Sequence, residues 1–105
     1  LSLFPEALHT HASLVYLDLA TNNIKTLPQM LDIKNLRVIV LANNSIETLP
    51  ESLFNHQYVI GMILDGNQLT SLPEEIGRLE LLYHFAVSRN NLTNFPKSLA
   101  SRNFL

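Results

Sequence analysis

The apolar positions of this chain recur every 22 or 23 residues, and the polar positions between them recur in step. Four asparagines, Asn22, Asn44, Asn67 and Asn90, lie 22, 23 and 23 residues apart. Five residues before each stands Leu17, Ile39, Met62 or Phe85, and three before stands Leu19, Leu41, Leu64 or Val87. Two after come Ile24, Ile46, Leu69 and Leu92, and five after come Leu27, Leu49, Leu72 and Phe95. Proline follows at once each time (Pro28, Pro50, Pro73, Pro96), with Leu31, Leu53, Ile76 or Leu99 three residues beyond it. Each unit leads with Leu14, Leu36, Val59 or Leu82. Seven columns besides the asparagines agree over four units, so the chain is a repeat array.

One unit, Leu36 to Leu53, predicts its own local structure. Leu36, Ile39 and Leu41 have the spacing of a short strand with one buried face. Asn44 follows where the chain must turn, and its amide can both accept from and donate to backbone groups. Stacked units would bring the four asparagines into a ladder that satisfies polar groups inside the coil. Pro50 ends the extended path and suits an early helical position. Thr26-x-x-Gln29, Thr48-x-x-Glu51 and Ser71-x-x-Glu74 have capping-box spacing, which predicts side-chain caps on short α or 3-10 turns. Asn94-x-x-Lys97 departs from it with a charge that opposes the helix dipole, so the fourth outer turn is expected to be looser.

The pattern L-x-x-L-x-L-x-x-N-x-L-x-x-L-P resembles the leucine-rich repeat along the whole chain. The resemblance implies an α/β solenoid with parallel strands on the concave face and short α or 3-10 turns on the convex face. Residues 1–105 are then one leucine-rich-repeat array of four complete motif cores. Partial repeats flank them, because Leu1-Ser2-Leu3-Phe4-Pro5 aligns with Leu69 to Pro73 and Leu105 falls 23 residues after Leu82. Neither end shows a polar cap, so further repeats or caps are expected at both. The Leu-Pro ending is similar to the intracellular branch of the family, which includes Ras-pathway scaffolds, plant Ras-group proteins and bacterial repeat proteins.

Composition narrows the function. Seven basic residues are scattered against nine acidic ones, which argues against a nucleic-acid surface. The chain has no cysteine, which leans towards the cytoplasm or nucleus. No apolar run approaches about 18 residues, so no membrane insertion is expected. His9, His11, His56 and His84 show no zinc-ligand spacing. His11 and His56 each lie three residues before a leading apolar position, where they are expected to pack partly under an outer turn. No phosphate loop, nucleophile elbow or triad spacing occurs. Glu74 and Glu75 read as acids favoured in a first helical turn. The chain is therefore expected to be no enzyme and to need no cofactor or metal.

Candidate function lies on the concave face. The outward positions are Tyr16, Asp18 and Ala20, then Val38, Val40 and Ala42, then Gly61, Ile63 and Asp65, then His84, Ala86 and Ser88. Val15, Arg37, Ile60 and Tyr83 flank them. Val40 and Ile63 are expected side by side, with Val38 adjoining, and a polar rim around an apolar patch marks a binding site. The partner-binding candidates are Tyr16, Val38, Val40 and Ile63 as apolar contacts, with Asp18, Asp65, His84 and Arg89 bordering them. Changing Val40 and Ile63 together to glutamate is expected to abolish binding and leave the fold. Four strands and three outward positions span roughly 200 Å², against about 800 Å² per partner in a standard interface, so this face is one portion of a binding surface. The function expected is a non-catalytic protein-interaction module, a scaffold or signalling adaptor. The alternatives are a regulatory segment of a larger enzyme of cyclase, phosphatase or deadenylase type, and an extracellular receptor ectodomain.

Overall fold

The computed structural model describes residues 3–5, 8, 13–93 and 95–99. His9, His11, Asn94 and Leu105 lie outside them. Four strands, β1 (Tyr16–Asp18), β2 (Val38–Val40), β3 (Gly61–Ile63) and β4 (His84–Ala86), form one parallel sheet in the order β1-β2-β3-β4. Each is three residues long, but the pairing runs further. Leu19, Leu41 and Leu64 donate to the carbonyls of Val40, Ile63 and Ala86, and Thr21, Asn43 and Gly66 to those of Ala42, Asp65 and Ser88.

The register puts Leu17, Ile39, Met62 and Phe85 in one row on the inner face. Ile39, Leu41, Ile46, Met62, Leu64 and Leu69 are fully buried, each worth about 1.5–3 kcal/mol of transfer free energy. The core thins towards the last unit. Phe85, Val87 and Leu92 are only partly buried, and Phe95, which shares a column with the buried Leu27 and Leu72, is 49% exposed. Phe95 was expected inside. It belongs to the last of the described units, beyond which no described repeat stacks.

Each turn before a ladder asparagine uses a left-handed residue: Thr21 (φ 59), Asn43 (φ 59), Gly66 (φ 72) and Arg89 (φ 54). Glycine and asparagine tolerate that region, whereas a β-branched side chain is an outlier there. Thr21→Asn is expected to stabilise the fold by about 0.5–1 kcal/mol, read as a higher urea midpoint at unchanged slope.

Behind the sheet run 3-10 turns at Glu51–Asn55, Glu74–Arg78 and Lys97–Leu99, and no α-helix occurs among the described residues. The capping boxes do not form. Pro50 and Pro73 occupy the N-caps with no side-chain cap bond. Proline has no N–H for a returning carboxylate, so the reciprocal half of the motif has nothing to bind. Glu74 instead accepts from the N–H groups of Lys97 (3.0 Å) and Ser98 (3.1 Å) in the next repeat. Gly77 permits this approach, since a Cβ there would lie 2.6 Å from that of Ser98. The bonds to Ser98 and Lys97 hold the Glu74 carboxyl below the ordinary glutamate value. A lowered pKa means a tie present above that value and lost as pH falls through the folded one. Amide protection of Lys97 and Ser98 should therefore fall in acid, at pH below the ordinary glutamate range, and stay flat with pH in Glu74→Gln.

The first repeat differs. Leu31 to Leu36 is one residue shorter than Leu53 to Val59 or Ile76 to Leu82, and no 3-10 turn follows Pro28. Thr26-x-x-Gln29 thus has no helix to cap. Leu53, Ile76 and Leu99 each donate to the carbonyl of the proline three residues earlier. Leu31 donates instead to Ser52 Oγ (3.0 Å), and Ile33 to His56 Nε2 (3.0 Å). Two side chains of the second repeat supply acceptors that the shorter turn lacks.

Candidate functional site

The outer face of the sheet comprises three rows. Tyr16, Val38, Gly61 and His84 form the first, and Asp18, Val40, Ile63 and Ala86 the second. Ala20, Ala42, Asp65 and Ser88 continue the alternation, held in line by the backbone bonds beyond the strands. The structure brings Val40 and Ile63 together as register partners. They and Val38 are half-buried by their neighbours, whereas Tyr16 (58%), Asp18 and His84 are exposed. Gly61 is buried between Val38 and His84. Arg89 stands apart, exposed in the turn beyond Ser88.

Both carboxylates on this face are engaged by backbone. Asp18 Oδ1 accepts from the N–H of Ala20 at 3.0 Å, and Asp65 Oδ1 from that of Ser88 at 2.6 Å. Each is thereby oriented while still exposing its charge.

Under the face, the ladder asparagines join adjacent repeats. Asn44 Oδ1 accepts from Ile24, Asn67 Oδ1 from Ile46 and Asn90 Oδ1 from Leu69, each at 3.0 Å. Their Nδ2 groups donate backwards, Asn44 to Leu19 and Leu41, Asn67 to Leu41 and Leu64, and Asn90 to Leu64 and Val87. Asn22 donates to Leu19 and Ala20. Among the described residues no buried side-chain nitrogen or oxygen lacks a partner. These asparagines position the face from behind.

Several exposed apolar groups escaped the sequence reading. Met30 (81%), Tyr58 (53%) and Leu81 (52%) lie in the linkers between outer turn and strand. Tyr58 and Leu81 share walls of a cavity of about 610 Å³ with Asn55 and Arg78. The Arg37 guanidinium sits 5.5 Å from the centre of the Tyr58 ring, a cation–π distance. The signal for Tyr58 and Leu81 was a broken column, since the residue before each leading position is polar at Ser13 and Asn35 but apolar at Tyr58 and Leu81. His56 is 7% exposed with both ring nitrogens bonded, Nδ1 to the Leu53 carbonyl and Nε2 to Ile33. It is thus a structural residue, tying the second repeat to the first. Among the described residues, no group of three or more His, Asp or Glu side chains is placed to hold a metal ion, and no helix is long and apolar enough to cross a membrane.

Residues 35–56, which include β2, Asn44 and the Glu51–Asn55 turn, match the family model Leucine Rich Repeat. These residues form a leucine-rich repeat. No curated protein matches the chain significantly. The repeat suggests a protein-interaction module, and the parallel sheet backed by 3-10 turns fits the α/β architecture of such repeats.

Proposed function

We propose that the whole chain is a leucine-rich-repeat array and a non-catalytic interaction module that binds a protein partner on the outer face of its sheet. In this reading the array is a solenoid and that face is its concave side. The observation that carries it is the adjacency of Val40 and Ile63 at the centre of the face, apolar where the inner core requires nothing of them. Tyr16 and Val38 extend the apolar surface, and Asp18, Asp65, His84 and Arg89 rim it. A scaffold or adaptor of the intracellular type, in the cytoplasm or nucleus, is the role supported by the Leu-Pro ending of each repeat and the lack of cysteine. The partly covered Phe85, Val87 and Leu92 suit a further repeat or cap stacked beyond β4. An appended catalytic domain in the full-length gene would instead make the array a regulatory segment.

The test uses glutamine. Glutamates at Val40 and Ile63 would face each other across adjacent strands, where like charges destabilise, and both sites are half-buried. Val40→Gln with Ile63→Gln removes the apolar patch without that repulsion. Proteins captured by the wild-type chain from a native extract should be lost by the double variant at unchanged circular dichroism. Capture that survives the substitutions would exclude this face.

A further inference from the structure

We infer that the outer face selects an extended basic segment of the form cation-x-apolar-x-cation, a reading that rests on the face being the binding surface. Of its twelve outward positions, only Asp18 and Asp65 carry formal charge, and both are negative. They stand on either side of an apolar triangle of Val40, Ile63 and Ala42. Asp18 is the register partner of Val40, Val40 of Ile63, and Asp65 follows Ile63 by two residues on the same face. Ala42 fills the third corner, and its small side chain leaves the middle of the triangle low.

The geometry defines the ligand. Two strand spacings across and two residues along separate Asp18 from Asp65 by about 12 Å between Cα atoms. In an extended peptide, side chains i and i+4 point the same way about 13 Å apart, with i+2 midway between them. Lysine or arginine at i and i+4 reaches the two carboxylates while an aliphatic group at i+2 settles over Val40, Ala42 and Ile63. The backbone bonds from Ala20 and Ser88 hold each carboxylate in place before the partner arrives, which lowers the ordering cost of binding. Among the described residues, the two arginines that flank the face lie outside the triangle: Arg89 is in the turn past Ser88, and Arg37 is stacked against Tyr58.

The same two backbone bonds offer a purely structural role for the aspartates, and asparagine separates the alternatives. Asp18→Asn with Asp65→Asn keeps an acceptor oxygen for each N–H and removes only the charge. Labelled peptides Lys-Ser-Leu-Ser-Lys, Gln-Ser-Leu-Ser-Gln and Glu-Ser-Leu-Ser-Glu, titrated by fluorescence anisotropy in low salt, are the probes. The basic peptide is expected to bind the wild-type protein best. The double asparagine variant should weaken it about tenfold, the combined size of two exposed ion pairs, with no change in melting temperature, and added salt should erode the difference. Equal binding of the three peptides, binding of none, or basic-peptide binding unchanged in the asparagine variant overturns the proposal. Basic-peptide binding that survives Val40→Gln with Ile63→Gln places the ligand elsewhere and overturns it as well. The broader reading of the face fails separately, through capture of native partners by the glutamine variant.

Discussion

Asn67→Ala should destabilise the protein by about 3 kcal/mol, a large share of the roughly 5–15 kcal/mol available to a domain of this size. Asn67 is 6% exposed and makes the central rung of the ladder. Its removal does not affect every partner equally. The Leu41 carbonyl still accepts from Asn44, and the Leu64 carbonyl from Asn90. The Ile46 N–H has only Asn67 Oδ1 and would be left buried without an acceptor. That orphan, at about 1–3 kcal/mol, is the largest part of the loss, and the missing amide contacts supply the remainder. Asn67→Asp separates the two parts. It keeps an acceptor for Ile46 but turns an anionic oxygen towards two carbonyls, so it should not rescue. Asn22→Ala, at a partly buried site, should cost less. Urea unfolding of the three variants gives the ranking, and an Asn67→Ala protein within about 0.5 kcal/mol of wild type would show that water or relaxation replaces the rung.

His56→Leu should cost about 1–3 kcal/mol, although leucine is what stands at the matching position 79. Leucine suits position 79 because the turn of the repeat before it, Glu51–Asn55, satisfies its own N–H groups locally, Leu53 donating to the Pro50 carbonyl and His56 to that of Leu53. At position 56 the side chain must also accept from Ile33 in the shortened first repeat. The substitution therefore leaves the Ile33 N–H buried and unpaired, and amide exchange at Ile33 should accelerate far more than at Val59. Inserting one residue between Leu31 and Leu36 restores the 23-residue spacing and should recover much of the loss in the His56→Leu background. Unchanged Ile33 protection in His56→Leu would mean that the first turn finds another acceptor.

Much of this fold could be read from period alone. Alternation around Ile39 and Leu41 is a local signal, and four asparagines in phase carry the stacking because identical units meet identical neighbours. The same phase places Val40 opposite Ile63 before any coordinates are known. What escaped depended on differences between neighbouring repeats. The capping boxes were read within one repeat, whereas Glu74 bonds 23 and 24 residues ahead, to Lys97 and Ser98. The place of His56 three residues before Val59 predicts packing under an outer turn, and it is buried there, but its bond to Ile33 depends on a residue missing from the repeat before it. The face itself was legible as positions. The half-burial of Val38, Val40 and Ile63 and the backbone bonds that orient Asp18 and Asp65 come from lateral crowding and turn geometry, which a period does not encode.

The shortened first repeat has a consequence for how this array can be rearranged. Units that satisfy their own turns can in principle be duplicated, deleted or exchanged like beads of one kind. The first two cannot, because Ser52 and His56 complete a turn that belongs to their neighbour. Exchanging the second unit for the third would set Glu75 and Leu79 against that turn and strand the Ile33 N–H. The order of the units is thus written into the hydrogen bonds between them, and the first two units should unfold as one.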